Sequence, residues 1–195
     1  MKVLAICGSP RKNKTTRYML GRAIQALSKE RPGLEIEIID LAGLAINGCI
    51  SCGQCRNGLE CSQKDDFLSL IPKLTDSQVK GILFASPVYL GSMTSQLKAF
   101  LDRSVMIRRN GFLWKNKLAA ALAVGGSRNG GQEITIQGIH AACLIQDMIL
   151  VGDGNTTSHF GGTMYSKEGI ENDVFGAETA DNTGKRFGQA LAVLK

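Results

Sequence analysis

The 195-residue chain predicts an α/β fold built on a doubly wound parallel sheet, and three observations carry that expectation. Apolar, strand-like runs alternate with helical patterns over five cycles. Three of the turns that follow those runs are rich in Gly, Ser, Thr or Asn. No linker-like or low-complexity tract divides the chain, so one domain spanning residues 1–195 is expected.

The elements follow in order. KVLAIC, residues 2–7, is a short β-branched and apolar run that stops at GSP, the pattern of a buried strand entering a turn. Thr15 or Thr16 is placed to cap a helix through RYMLGRAIQALSKE, which ends before RPG. LEIEIID alternates apolar and acidic residues, as a half-exposed strand near a sheet edge does. A cysteine-rich loop, residues 47–65, comes next, then a short helix over DFLSLIPKL and a third strand, VKGILFAS. After PVYLGS, the helix TSQLKAFLDRSV repeats Leu97, Phe100, Leu101 and Val105 at helical spacing. KLAAALAVGGS reads as a fourth strand running into a glycine-rich turn, EITIQGIHAACLIQ as a helix and MILVGD as a fifth strand. The segment 152–195 opens as a loop, GNTTSHFGG, and supplies a last helix over AETADNTGKRFGQALAVL.

Five strands in a chain of this length favour the flavodoxin-like order 2-1-3-4-5 over the larger dinucleotide fold. In such sheets a ligand sits outside the carboxyl ends of the strands, at the switch point beside strand one. The loops GSPRKNKTT, SPVYLGSMT and GGSRNGGQE all meet there.

Composition narrows the function. The longest apolar runs, such as LAAALAV at 118–124, fall far short of the roughly 18 residues a membrane span needs. MKVLAICGSP lacks a basic flank of any length and leads at once into a turn, so no signal peptide is expected. The expectation is a cytoplasmic protein. In a reducing cytosol, clustered cysteines point to metal or redox chemistry rather than to a disulfide framework. The net charge of +6 is concentrated in RKNKTTR at 11–17 and RSVMIRRNGFLWKNK at 103–117. Neither stretch carries a known nucleic-acid-binding motif, so no nucleic-acid partner is expected. A bound phosphate is expected at the first, and at the second either an acidic protein partner or a plain solvated face.

GSPRKNKT, residues 8–15, is one residue away from the nucleoside-triphosphate pattern G-x-x-x-x-G-K-[ST], with Asn13 where the second glycine belongs. Asn tolerates left-handed backbone angles, so the loop geometry is open to it. Such an ATPase also needs an aspartate ending a buried strand to hold magnesium. The third strand ends in FASPVYLG without one, and Asp40 ends a strand that reads as an edge. The second reading is a monophosphate site, with Ser9, Thr15, Thr16 and Arg11 around a helix N-terminus. The third is a strand-to-helix turn with no ligand, though nothing structural requires Ser, Arg, Thr and Thr together.

Cys49, Cys52, Cys55 and Cys61 have the spacing C-x2-C-x2-C-x5-C. A mononuclear zinc site needs four sulfurs about 2.3 Å from one point, and it usually takes two separate C-x2-C hairpins to supply them. Here the two pairs share Cys52. A 4Fe-4S cluster presents irons facing outward, and a single irregular loop reaches its corners in turn, which compact C-x2-C-x2-C runs are known to do. Gly48, Gly53 and Gly58 permit the backbone angles this wrapping demands. With only one such run, Cys61 is the natural fourth ligand of the same cluster. Zinc, free thiols and redox-active disulfides stay as alternatives. Cys7 and Cys143 read as buried small hydrophobes.

GSPRK, SPVYLGSMTSQLKAFLDRSV, LAAALAVGGSRNGGQE and VGD followed by SHFGG together resemble the iron-sulfur flavoprotein family. This is a branch of the NADPH-dependent FMN reductase superfamily found mostly in archaea and anaerobic bacteria, and the similarity runs from Met1 to about Gly162. The resemblance implies FMN at the three loops and a 4Fe-4S cluster on residues 49–61. It implies a homodimer or a dimer-of-dimers tetramer, and a ferredoxin-like donor whose electrons pass through the cluster to FMN and on to an acceptor such as oxygen or peroxide. Carried over by motif, Ser9, Arg11, Thr15 and Thr16 hold the FMN phosphate. Pro87, Val88, Tyr89, Leu90 and Gly91 border the flavin ring, as do Ser127, Arg128, Asn129 and Gly130. Relatives often carry Gly at position 13 and Asn at 15, where this chain has Asn13 and Thr15.

The organic chemistry belongs to the cofactor, so no acid-base catalyst is assigned. Arg128 is placed either to stabilise reduced FMN or as a surface arginine. Trp114 reads equally as an interface anchor or a structural residue, His140 as structural, and His159 as a neighbour of the cofactor site or a loop residue. Two other functions stay in view. One is an NAD(P)H-dependent FMN or quinone reductase with a zinc-bound or vestigial cysteine loop. The other is a non-catalytic iron or oxygen sensor, for which the sequence offers no nucleic-acid-binding element.

Overall fold

In the computed structural model, which describes residues 1–167 and 169–194, one parallel sheet organises the chain. Glu168 and Lys195, both within the expected C-terminal segment, lie outside the described residues. The strands are β1 (Lys2–Cys7), β2 (Glu35–Asp40), β3 (Val79–Pro87), β4 (Leu118–Gly125), β5 (Ile149–Leu150) and β6 (Gly162–Tyr165). Their order is β2-β1-β3-β4-β5, as expected, with β6 also paired to β4. The helices are α1 (Thr15–Glu30), α2 (Phe67–Leu74), α3 (Ser95–Arg103), α4 (Val105–Arg109), α5 (Gln132–Ile145) and α6 (Val174–Val193).

Central strands are apolar on both faces because helices cover both. Val3, Ala5 and Cys7 of β1 pack with Met19, Leu20 and Leu27 of α1 and Phe187 and Leu191 of α6. Leu4 and Ile6 face the other way, towards Phe67 of α2, Leu97 and Phe100 of α3, and Ile136 and Ile139 of α5. Strand β2 has only one fully buried residue, Ile39, and stands at the edge that its alternation predicts. Trp114 is completely buried, and its indole N–H donates to Leu74 O at 2.9 Å, which settles it as a core residue. Among the described residues, no helix is long and apolar enough to cross a membrane.

Three elements differ from expectation. Neither Thr15 nor Thr16 caps α1; both lie in its first turn, and the capping position is Lys14, whose side chain makes no capping bond. The helix expected over residues 94–105 breaks at buried Ser104, whose hydroxyl donates to Leu101 O at 2.6 Å, and continues as α4. The expected fifth strand is two residues long and pairs only with Leu118 and Ala119. The remainder of that edge is supplied by β6, which pairs with residues 122–125 after a detour through 152–161.

Candidate functional site

The carboxyl ends of β1, β3 and β4 are aligned by register, with Cys7 beside Ala85 and Pro87 beside Val124. The three following loops therefore emerge side by side. Gly8 N–H donates to Ala85 O at 2.7 Å, and a Cβ at this position would stand 2.7 Å from Leu97 Cβ, so glycine is needed for the close approach. Buried Ser9 turns its hydroxyl inward, accepting from Arg11 N–H at 3.1 Å. Asn13 adopts the left-handed conformation (φ 53°) that lets the loop close without a second glycine. The first-turn N–H groups of α1 have no side-chain cap and no acidic neighbour within the turn. Exposed Arg11 and half-buried Thr15 lie next to them in sequence, Thr16 is buried within the turn, and an uncapped helix start of this kind favours an anion. A triphosphatase reading finds no magnesium ligand at the nearest strand ends: Asp40 lies on the edge strand and pairs with Arg17 at 3.6 Å.

The second loop is tied to the first, since Thr94 Oγ1 donates to Gly8 O at 2.6 Å while accepting the N–H of Leu97 to cap α3. Val88 N–H donates to Val124 O at 2.9 Å, continuing the sheet past Pro87. Tyr89 and Ser92 exchange backbone hydrogen bonds at 2.8 and 3.1 Å around Leu90 and Gly91, both with positive φ. This turn leaves Tyr89 46% exposed and Leu90 fully exposed, two large side chains open to a ligand.

The third loop abuts the second. A Cβ on Gly131 would stand 3.2 Å from Gly91 Cα. Buried Gln132 donates from Nε2 to Ser127 O (2.8 Å) and Met164 O (3.2 Å), which holds Ser127, Arg128, Asn129 and Gly130 against β6. The Arg128 guanidinium lies 4.8 Å from the ring centroid of Tyr165 and donates to its hydroxyl at 3.3 Å. Arg128 and Asn129 also border a cavity of about 450 Å³ that reaches Tyr165, Phe175 and His159. His159 is oriented from behind: Asp153, 1% exposed, accepts from His159 N–H and Nδ1 and from Thr157 Oγ1. His159 thus turns its Nδ1 edge to Asp153 while its ring also lines the cavity. An uncapped helix start, exposed apolar side chains and glycines at the closest approaches together fit a ligand with a phosphate at one end and a flat ring at the other.

The cysteine loop is built separately. Its two ends meet where Ala45 N–H donates to Asp66 Oδ2 at 2.7 Å and Asp66 N–H to Ala45 O at 3.1 Å. Arg103, 2% exposed, forms a bidentate ion pair with Asp65 (2.6 and 3.0 Å) and donates to Asn47 O at 3.1 Å, fastening both ends to α3. Burial by itself would raise the Asp65 carboxyl, but Arg103 and the N–H groups of Asn47 and Phe67 outweigh it and hold the group below its ordinary range. Asn110 reaches back from the end of α4 to Cys55 O at 3.0 Å and Gly58 O at 3.1 Å.

All four cysteines line one small cavity together with Arg103 and Arg109. None of the four is in a disulfide; Cys55 and Cys61 are buried, Cys49 and Cys52 exposed. Ser62 Oγ donates to Cys52 Sγ at 3.0 Å and lowers that thiol's pKa, while Arg109 Nη1 donates to Cys55 Sγ at 3.2 Å. Among the described residues, no three His, Cys, Asp or Glu side chains close on a point as one bound ion requires. The four cysteines line a single cavity, and four cysteine thiolates are the ligand set that a 4Fe-4S cluster takes.

Sequence reasoning missed the residues that hold these sites. Arg103 had a readable sign: three residues after Phe100, it falls on the apolar stripe of α3, where a charge needs a partner. Tyr165 had none, because the four residues of β6 show no clear period. The second basic stretch is only partly a solvated face, since Arg103 and Arg109 turn towards the cysteine loop.

Sheet order, aligned loops and an open helix start define a flavodoxin-like protein built for a phosphate-bearing ligand. The solved structures agree on the fold. A WrbA-like flavodoxin from Agrobacterium tumefaciens superposes with a TM-score of 0.68 at 17% identity, covering 100% of this chain and 98% of its own. An NADH:FMN oxidoreductase in its apo form gives 0.67 at 20% identity, covering 97% and 89%. Residues 1–162 match the family model described as NADPH-dependent FMN reductase. An iron-sulfur flavoprotein of Methanocaldococcus jannaschii is 43% identical over 100% of both chains, and one of Methanosarcina thermophila 42% identical over 100% of this chain and 97% of its own. The chain belongs to the NADPH-dependent FMN reductase family, in its iron-sulfur flavoprotein branch.

Proposed function

We propose that this chain is an electron-transfer flavoprotein that takes electrons from a ferredoxin-type donor and delivers them to an acceptor such as oxygen or peroxide. It holds FMN at the three loops and a 4Fe-4S cluster in the cysteine cavity. The observation that carries this reading is the four-cysteine cavity on a flavodoxin-like sheet whose full-length relatives are named iron-sulfur flavoproteins. A flavin accepts electrons singly or in pairs and a cubane cluster passes them one at a time, so the two couple a one-electron donor to a two-electron acceptor.

The chain's own residues position this chemistry. The open start of α1 binds the phosphate together with Ser9, Arg11, Thr15 and Thr16. Pro87, Val88, Tyr89, Leu90 and Gly91 would border the flavin ring, as would Ser127, Arg128, Asn129 and Gly130, and the Arg128 cation would favour the negative charge of reduced FMN. The cavity beside Arg128, which His159 also lines, would admit the acceptor. Cys49, Cys52, Cys55 and Cys61 hold the cluster. The protein works in a reducing cytoplasm as a homodimer or a dimer of dimers, consistent with large exposed apolar side chains such as Ile50, Ile134, Leu144 and Ile145.

Protein purified without oxygen is expected to carry about four iron and four sulfide per chain beside one FMN. Reduced ferredoxin is expected to bleach its flavin absorbance, and failure to do so overturns the assigned donor. The family description supports a second reading, an NAD(P)H-dependent FMN or quinone reductase with a zinc-bound or vestigial cysteine loop. Zinc in place of iron, with NADPH oxidised in the absence of ferredoxin, would establish it.

A further inference from the structure

The four sulfurs of the cysteine cavity do not face equivalent surroundings. The two exposed ones meet neutral donors, Ser51 N–H at 3.4 Å from Cys49 and Ser62 Oγ at 3.0 Å from Cys52. Of the two buried ones, Cys55 accepts from the Arg109 guanidinium, and Cys61 lines the cavity that Arg103 also borders. The guanidiniums themselves also differ. Arg103 is neutralised by its bidentate pair with Asp65. Arg109 has no carboxylate partner among the described residues, so its full charge stands 3.2 Å from a cysteine sulfur in a half-buried setting. Its neighbour Arg108 turns away and lies 5.3 Å over the ring of Phe112.

Resting on the 4Fe-4S reading, we propose that Arg109 is a positioning residue that sets the reduction potential of the cluster, its unpaired cation on Cys55 favouring the reduced state. When the cluster takes one electron from a one-electron donor, the assembly of irons, sulfides and four thiolates gains one negative charge. No bond breaks and no proton moves. A fixed positive charge beside a ligand sulfur favours the more negative state, and charge and hydrogen bonding at the sulfurs are the levers by which a protein tunes such a centre. Because Cys55 is buried, solvent screens this interaction weakly. Arg109 thus makes the cluster a better acceptor for electrons arriving from outside.

The test is a potentiometric titration, with dithionite as reductant, of anaerobically purified wild type, Arg109→Gln, Arg109→Lys and Arg108→Gln, following the cluster by its electron paramagnetic resonance signal. Iron, sulfide and FMN are counted first. At the wild-type midpoint, Arg109→Gln is expected to show its oxidised-to-reduced ratio raised about tenfold, a midpoint about 59 mV lower for a one-electron couple. Arg109→Lys, which keeps the charge, and Arg108→Gln, which removes one that does not face a sulfur, are expected to stay within about threefold of wild type. Arg109→Gln with a full complement of iron and an unmoved midpoint overturns the proposal and leaves the cluster assignment standing. If that variant assembles no cluster, Arg109→Lys decides, and a displacement as large as tenfold rules out charge as the cause. Wild type without iron overturns the cluster reading and this proposal together.

Discussion

His140 shows how a single residue ties this fold to pH. It sits in α5 at 9% exposure, its Nε2 has no partner, and burial pushes its imidazole below the ordinary 6.5. The neutral form is the one the fold accepts. Unfolded, the residue takes a proton near its ordinary value; folded, it resists until lower pH. Its contribution is therefore complete above the unfolded pKa and is lost as pH falls through the folded one. Between about pH 7 and 5 the wild type should lose more thermal stability than His140→Gln, and equal slopes from melts across that range would refute the assignment. Cys7 and Cys143 are also governed by burial, which pushes their thiols up to about 11 and about 12, so they stay protonated and unreactive. The sequence anticipated these three residues as core groups because each lies in an apolar run, and burial is the property that such runs report best.

At the scale of elements, the cysteine loop depends on one buried ion pair. Asp65→Asn would leave Arg103 charged and uncompensated in the core, at a cost of about 3–5 kcal/mol. Urea unfolding of the metal-free protein checks this, and the iron content of the anaerobic preparation should fall as the loop loses its clasp. The exposed i,i+4 pair of Lys98 and Asp102 is the control, because Lys98→Ala should change stability by no more than about 0.5 kcal/mol. The cysteines were legible because their spacing is local. Asp65, Arg103 and Asn110 were not, because their meaning lies in contacts made across 38 to 56 residues of sequence. The same limit explains β6, whose pairing with β4 depends on where the chain returns after residues 152–161 rather than on any pattern in GTMY. The break between α3 and α4 was also hidden, since it is held by a distant residue: Gln146, just past the end of α5, donates to the Ser104 carbonyl and hydroxyl.

Across the whole molecule, order of strands and position of loops were readable because apolar runs alternate with helical patterns along the chain and turns rich in Gly, Ser, Thr or Asn follow three of the strands. What closes one side of the molecule was less so. Helices α1 and α6 pack backbone to backbone where Gly184 meets Ala23, and a Cβ on Gly184 would run into the Ala23 carbonyl. Gly184→Ala should destabilise by about 1–3 kcal/mol, and in a chain of this size each kcal/mol lowers the melting temperature by roughly 2–4 °C. Calorimetry reads that loss directly, and an unchanged melting point would mean the two helices can move apart freely. On the opposite face, the chain leaves and rejoins the sheet's framework at one hydrogen-bonded pair, Ala45 with Asp66. Strand β2 and helix α2 are consequently held together at the two ends of the intervening segment. Shortening the loop past Asp65 would therefore do more than remove a surface appendage, because it would strip the buried Arg103 cation of its counterpart in the core.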